Sequence, residues 1–287
     1  MKLQMILAMA CEAVICAGMA GAAGADCASD EAIAAFVADF QAKVPTQALV
    51  PGGTMDDALC TQEKLSEAMQ VNLGPVVGYK AGLTSKPAQD RFGVTEPVGG
   101  VLYEKMLLED GASVPAAFGA RPLFEADLLL VIGDDAVNGA TTPEEVMQHV
   151  SGVRPFIELP DLTLAEDQPI NGVTLTAIGV APRLGVMGAE IAVEDPAAML
   201  EALGAMQVTV RSASGEVMAE APGASVLGNP ANSVLWLMQA GYQMKAGDLI
   251  SVGSIGPLLP PAKAGGGASV TYAGLPGDPK VSVVFTD

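Results

Sequence analysis

The 287-residue sequence predicts an α+β chain, with a helical N-terminal region followed by a strand-rich body. Three observations predict it. Two stretches near the N-terminus space apolar residues at helical intervals; from Pro75 onward short apolar runs are punctuated by glycine and proline; and 33 glycines and 20 prolines stand against few aromatic residues. That balance suits many short strands and turns better than a helical bundle. Half of the residues are hydrophobic, enough for a sizeable core in one large domain or two ordinary ones.

Residues 1–25, "MKLQMILAMACEAVICAGMAGAAGA", have a basic start at Lys2, an apolar middle and small residues closing on Ala23-Gly24-Ala25. This is the pattern of a secretory signal peptide, although Glu12 interrupts it and one lysine is a thin basic segment. The alternative is an unusual apolar N-terminal helix. Export would place the protein in the periplasm or outside the cell, with no membrane attachment once the leader is cleaved. Cleavage also removes Cys11 and Cys16 and leaves Cys27 and Cys60 as a pair, either bridged in an oxidising compartment or buried as free thiols. Elsewhere no stretch reaches the 18 or so unbroken apolar residues that a span requires. The formal net charge is −19, and losing the leader leaves it there because one lysine and one glutamate depart together. Such a surface repels phosphate backbones, so nucleic acid is excluded as a partner.

Residues 26–74 form the helical region. "SDEAIAAFVADFQAKV" offers Ser29 as N-cap and spaces Ile33, Phe36, Val37 and Phe40 along one helix face, ending before Pro45. "TMDDALCTQEKLSEAMQVNL" follows as a helix or helix pair, with Thr54 and Asp57 in capping-box spacing. Residues 75–287 begin with "VVGYKAGL", "VGGVLYEKMLL" and "FEADLLLVIG" as strands. "TTPEEVMQHV" predicts a helix with Thr142 as N-cap, Pro143 in its first turn and Glu145 completing a box, and "VRPFIEL" a short strand. "VTVRSASGEVMAEA" reads as a hairpin turning at Ser214-Gly215, "NPANSVLWLMQAG" as a helix capped by Asn229, "KAGDLISVGS" as a turn into a strand, and "KVSVVFTD" as a closing strand.

Three acids interrupt apolar strands: Glu125, Asp127 and Glu158. Strand neighbours two apart share a face about 7 Å from one another, so Glu125 and Asp127 look the same way, and alternation turns Glu158 away from Ile157 and Leu159. Ionised carboxylates are rarely left inside a fold unpartnered, because desolvating each costs several kcal/mol. A hard divalent cation such as Mg²⁺ or Mn²⁺ would partner all three and keep positions open for a substrate; solvated or hydrogen-bonded edge acids are the alternative. No Cys-x-x-Cys or Cys/His cluster occurs and His149 is the single histidine, which argues against a zinc finger, a zinc protease helix or a Ser-His-Asp triad.

The order "VVGYKAGLTSKPAQDRFGV", "PVGGVLYEKML", the E-x-D strand, "FIEL", "GNPANSVLWL" and "MKAGDLISVGS" resembles the fumarylacetoacetate hydrolase superfamily over residues 60 to 287. Within it the similarity points to the 2-keto-4-pentenoate hydratase and 4-oxalocrotonate decarboxylase branch. The resemblance implies a mixed, curved β-sheet roll that binds Mg²⁺ or Mn²⁺ through Glu125, Asp127 and Glu158, with Asp127 standing where the family usually has glutamate. It implies Lys80 as the catalytic lysine, Leu83, Gly253 and Ser254 as substrate-binding positions, and a homo-oligomer, a dimer or higher. It further implies a hydratase, a metal-dependent lyase acting on a small 2-oxo or 2-hydroxy-dienoic acid such as 2-hydroxypenta-2,4-dienoate.

Two departures bear on that activity. Val98 stands where hydratases often carry an acid, and "PINGVT" keeps Asn171 and Thr174 of a more polar family segment. An acylpyruvate-type C–C hydrolase, a 2-oxo acid decarboxylase and a non-catalytic exported binding protein are therefore the rival expectations. The hydrolase branch uses a His-Glu pair on a mobile segment, and His149 falls in the wrong element for that.

Overall fold

The structure, a computed structural model, describes residues 25–287. The leader reading therefore lies outside the described residues, apart from Ala25. Among the described residues no helix is long and apolar enough to cross a membrane.

Helix α1 (Asp30–Ala42) is capped by Ser29, whose hydroxyl accepts the Ala32 N–H at 3.2 Å, and it buries Ile33, Phe36 and Phe40. Lys43, in the left-handed region at φ 58°, ends it. Helix α2 (Met55–Leu73) carries the expected Thr54–Asp57 capping box and runs unbroken, one helix and not a pair. Cys27 and Cys60 form a disulfide with Cα atoms 5.4 Å apart, which ties the chain ahead of α1 to α2. Ala28 reinforces the tie: its N–H donates to Thr61 and its carbonyl accepts from Lys64. A bridge across 33 residues contributes roughly 3 to 4 kcal/mol in the chain-entropy account. Thiol titration of unreduced, denatured protein beginning at Asp26 should therefore give close to zero equivalents; two would refute the bridge.

The body alternates short strands and helices: β1 (Val76–Gly82), α3 (Lys86–Phe92), β2 (Val98–Tyr103), β3 (Leu107–Glu109), β4 (Ser113–Pro115), β5 (Glu125–Ile132), α4 (Pro143–Met147) and β6 (Val150–Leu159). Next come α5 (Gly172–Ala177), β7 (Leu184–Met187), β8 (Ile191–Ala192), α6 (Pro196–Ala205), β9 (Gln207–Ser212) and β10 (Val217–Pro222). The chain closes with α7 (Ala231–Gln239), β11 (Leu249–Ser251), β12 (Gly267–Ala273) and β13 (Lys280–Thr286). The β9–β10 hairpin turns at Gly215, whose φ of +87° suits the turn. At α7 the N-cap position falls on Pro230, whose ring has no group to cap with, and not on Asn229; Asn229, one residue earlier, accepts the Ala231 N–H at 3.0 Å. At α4, Thr142 caps as expected, but the Glu145 carboxylate accepts from Thr141, one residue further out than the box requires.

Two mixed sheets result. The larger runs β2-β1-β11-β5-β6-β7-β3, with β8 also pairing β6; the smaller runs β10-β9-β12-β13-β4. Strand β13 alternates buried and exposed positions as expected, and it lies inside the smaller sheet between β12 and β4. The larger sheet is buried on both faces. Ala126, Leu128, Leu130 and Ile132 of β5 enter the core shared with the smaller sheet, α4, α6 and α7. Leu129 and Phe156 enter the other core, built with α1, α2 and α5. Each such fully buried leucine or phenylalanine stabilises the fold by about 1.5 to 3 kcal/mol relative to exposure.

Candidate metal centre and active site

Both faces of β5 are covered, so the acids of this strand are buried among apolar neighbours. Alternation places Glu125 and Asp127 on the Leu129 face, toward the N-terminal helices. Antiparallel pairing sets Glu125 directly opposite Glu158 on β6. Residues paired in this way share a face, so the three acids converge: each offers an oxygen within 4.8 Å of the others. Glu125, Asp127 and Glu158 are 7%, 0% and 1% exposed.

Lys80 belongs to the same surface. It pairs with Ser251 of β11, which pairs with Leu129 of β5. Its ammonium is bonded to Glu158 and donates to the Val180 carbonyl at 2.9 Å. Three strand-to-strand steps separate the strands of Lys80 and Glu158, and the register line through Lys80 meets β6 at Arg154, four residues from Glu158, so the two would lie roughly 20 Å apart on a flat sheet. Reaching side chains and the curl of the sheet close that gap.

Asp127 is held on both oxygens. It accepts from the Ser251 hydroxyl, from the Gly253 N–H at 3.0 Å and from the Leu128 N–H at 2.6 Å. Gly253 must be glycine: its φ is +101°, and a Cβ would lie 2.7 Å from both the Ala81 carbonyl oxygen and the Thr84 hydroxyl. Ser254 donates to the Gly256 carbonyl at 2.7 Å and exerts a small downward pull on the Glu125 pKa. Leu83, in the left-handed region at φ 56°, follows β1 and packs half-buried against the N-terminal core. Asn171 and Thr174 cap α5 reciprocally.

Burial and the neighbouring Glu158 charge push Glu125 well above the usual carboxylate range, with Lys80 offsetting in part. Burial and Glu158 likewise push Asp127 up to about 7, against the Ser251 hydrogen bond. Glu125 Oε2 is buried and has no hydrogen-bond partner among the described residues. An orphaned carboxylate oxygen beside two further acids is costly as it stands. An all-oxygen donor set of this kind fits a hard divalent cation.

Two participants carried no signal in the local sequence pattern. Ser251 is one more small polar residue in the strand pattern of "KAGDLISVGS". Tyr272 of β12 reaches from the smaller sheet: its hydroxyl accepts the Phe156 N–H and lies 2.5 Å from the Asp127 carbonyl and 2.8 Å from that of Phe156. Asp127 and Phe156 are opposite one another on β5 and β6, so Tyr272 props the backbone beneath the acids. His149 is elsewhere. It pairs with Asp134 at 3.0 Å, and nine residue steps of extended chain, about 30 Å, separate it from Glu158.

Together the fold and the acidic cluster set three carboxylates and a buried lysine on the inner face of a curled sheet, a donor set suited to a hard divalent cation. The family pattern described as fumarylacetoacetate (FAA) hydrolase C-terminal matches residues 68–277, and the chain belongs to that family. It is 32% identical over 220 residues to a 2-keto-4-pentenoate hydratase of Paraburkholderia xenovorans (strain LB400), covering 75% of this chain and 79% of that one. It is 32% identical over 218 residues to a 2-hydroxyhexa-2,4-dienoate hydratase of Comamonas testosteroni, covering 74% and 80%. Among solved structures, 4-oxalocrotonate decarboxylase from Pseudomonas putida G7, complexed with magnesium and adipate, superposes with a TM-score of 0.74 at 23% identity over 90% of this chain and 98% of that one.

Proposed function

We propose that this chain is a lyase of the hydratase type, adding water to a small 2-hydroxy-dienoic acid such as 2-hydroxypenta-2,4-dienoate with Mg²⁺ or Mn²⁺ bound. The observation that carries the reading is the convergence of Glu125, Asp127, Glu158 and Lys80 on one sheet face. Hydratases aligned over about three quarters of the chain support it.

Glu125, Asp127 and Glu158 would hold a divalent cation, which would supply Lewis-acid polarisation of the bound substrate. Lys80, buried and anchored on the Val180 carbonyl, pairs with the substrate carboxylate or delivers a proton along the dienol. Val98 is buried where hydratases often carry an acid, so proton handling rests on Lys80. Ser251 and the Gly253 N–H hold Asp127 in place. Leu83, Gly253 and Ser254 remain the substrate-binding positions of this reading. The C–C hydrolase reading loses support because His149 precedes β6, at the end of the strand away from Glu158.

We further propose that the protein is exported and assembles as a homo-oligomer. The leader composition and the Cys27–Cys60 bridge support export.

Purified protein beginning at Asp26 should consume 2-hydroxypenta-2,4-dienoate with Mg²⁺ and stop when EDTA is added. Activity unchanged by chelator would overturn the metal-dependent reading. Tight ligand binding without turnover would select the exported binding protein instead, and release of CO₂ from a 2-oxo dicarboxylic acid the decarboxylase.

A further inference from the structure

The backbone beneath the acids carries an oxygen that a regular sheet does not supply. Along β6 successive residues turn their N–H and C=O groups to alternate sides. The Pro155 carbonyl accepts the Gly188 N–H just past β7, so Phe156 turns its own N–H and carbonyl the other way, toward β5, where Asp127 faces it. Asp127 and Phe156 therefore form a hydrogen-bonded rung of this ladder, and Glu125 with Glu158 forms the next such rung, two residues on. The Tyr272 hydroxyl sits on the first of these. It accepts the Phe156 N–H at 3.1 Å and lies 2.5 Å from the Asp127 carbonyl oxygen and 2.8 Å from that of Phe156, with a single hydrogen to give.

Tyr272 arrives through the core between the two sheets, where it is fully buried, while the carboxylates leave the larger sheet by its opposite face. Among the described residues its hydroxyl bonds backbone atoms alone. Through those atoms it bears on all three acids: Asp127 is on the rung itself, Glu125 is two residues along β5 and Glu158 two along β6. Asp127 is the most sensitive of them. Its carboxylate is pinned by Ser251, Gly253 and Leu128, and an aspartate has one methylene fewer than a glutamate with which to absorb a backbone shift.

We propose that Tyr272 is a positioning residue of the metal centre: its hydroxyl fixes the spacing of β5 and β6 at the rung that carries Asp127, and so sets how tightly the three acids hold a divalent cation. The proposal rests on the cation reading above. Groups that orient metal ligands from behind typically govern affinity by about 10- to 100-fold.

Mn²⁺ binding to the metal-free protein, read from the electron paramagnetic resonance signal of free Mn²⁺, tests this without turnover. Tyr272→Phe keeps the ring in the core and removes the one oxygen, and it should weaken Mn²⁺ binding by about 10- to 100-fold. Val270→Ala, two residues earlier on the same buried face of β12, is the stability control: it should lower the melting temperature and leave the Mn²⁺ Kd in place. An unchanged Kd in folded Tyr272→Phe, or an equal loss in Val270→Ala, would overturn the positioning role. If Tyr272→Phe does not fold, amide exchange of the wild type decides. Linkage is reciprocal, so saturating Mg²⁺ should slow exchange of the Phe156 N–H by about tenfold or more relative to the Gly152 N–H at the far end of β6, and an unslowed Phe156 overturns the proposal. A wild type that binds no Mn²⁺ would remove the cation site itself, an outcome distinct from wild type and Tyr272→Phe binding alike.

Discussion

In EDTA at neutral pH, Glu125→Gln should melt no lower than wild type, while millimolar Mg²⁺ should stabilise wild type and leave the variant unmoved. The expected wild-type gain is about 2.7 kcal/mol at a hundredfold excess over Kd. Glu125 is buried, faces the Glu158 charge and has an oxygen with no partner, so without a cation the folded state favours its protonated form. Glutamine is a near match for that form. The pH dependence has a definite sign. Glu125 and Asp127 have folded-state pKa values above their unfolded values, so the folded state binds more protons. Their contribution to stability is greatest at low pH, falls as pH rises past the unfolded values near 4, and levels off above the folded ones, about 7 for Asp127. Differential scanning fluorimetry in EDTA should show the wild type losing ground to Glu125→Gln as pH rises above about 4.5. A wild type indifferent to both Mg²⁺ and Mn²⁺ would remove the metal-site reading.

Lys80→Met should lower kcat/KM by about 10² to 10⁴, the range spanned by a positioned acid–base group. It should also destabilise the chelator-treated protein by about 3 to 5 kcal/mol, because Glu158 then keeps a buried charge with no partner. Mg²⁺ should restore more stability to this variant than to wild type, since the cation replaces the lost ammonium as counter-charge. The variant's steady-state rate and its melting temperature with and without metal check both halves. A variant within a few-fold of wild-type activity would take Lys80 out of the chemistry and leave it as a counter-ion.

The two N-terminal helices were legible because their caps are local: Ser29 and Thr54 each accept from a backbone N–H three residues ahead, within the span of the sequence pattern. The acids were legible for a related reason. A two-residue period sets Glu125 and Asp127 on one face whatever packs there, and an acid between Ile157 and Leu159 stands out in any strand. Helix α6 also starts on a local signal, Asp195-Pro196, where Asp195 accepts from the Ala197 and Ala198 N–H groups. The six-residue α5, "GVTLTA", is poor in strong helix formers and is held by its Asn171–Thr174 box and by packing on α2. Its capping pair could be seen in the sequence only as polar residues of a diminished motif.

What the sequence by itself determined is the inventory and its local grammar: two capped helices, strands with a period of two, three acids placed to share faces, and a cysteine pair. Partnership came from the tertiary structure alone. Glu125 meets Glu158 through strand register, Lys80 reaches Glu158 across intervening strands, and Tyr272 crosses between sheets to the backbone of Asp127 and Phe156. Those contacts join residues 33, 78 and 145 positions apart along the chain. Local periodicity carries no information about such separations, because which strands become neighbours is decided by how the two cores close, and only then do the acids share one buried face.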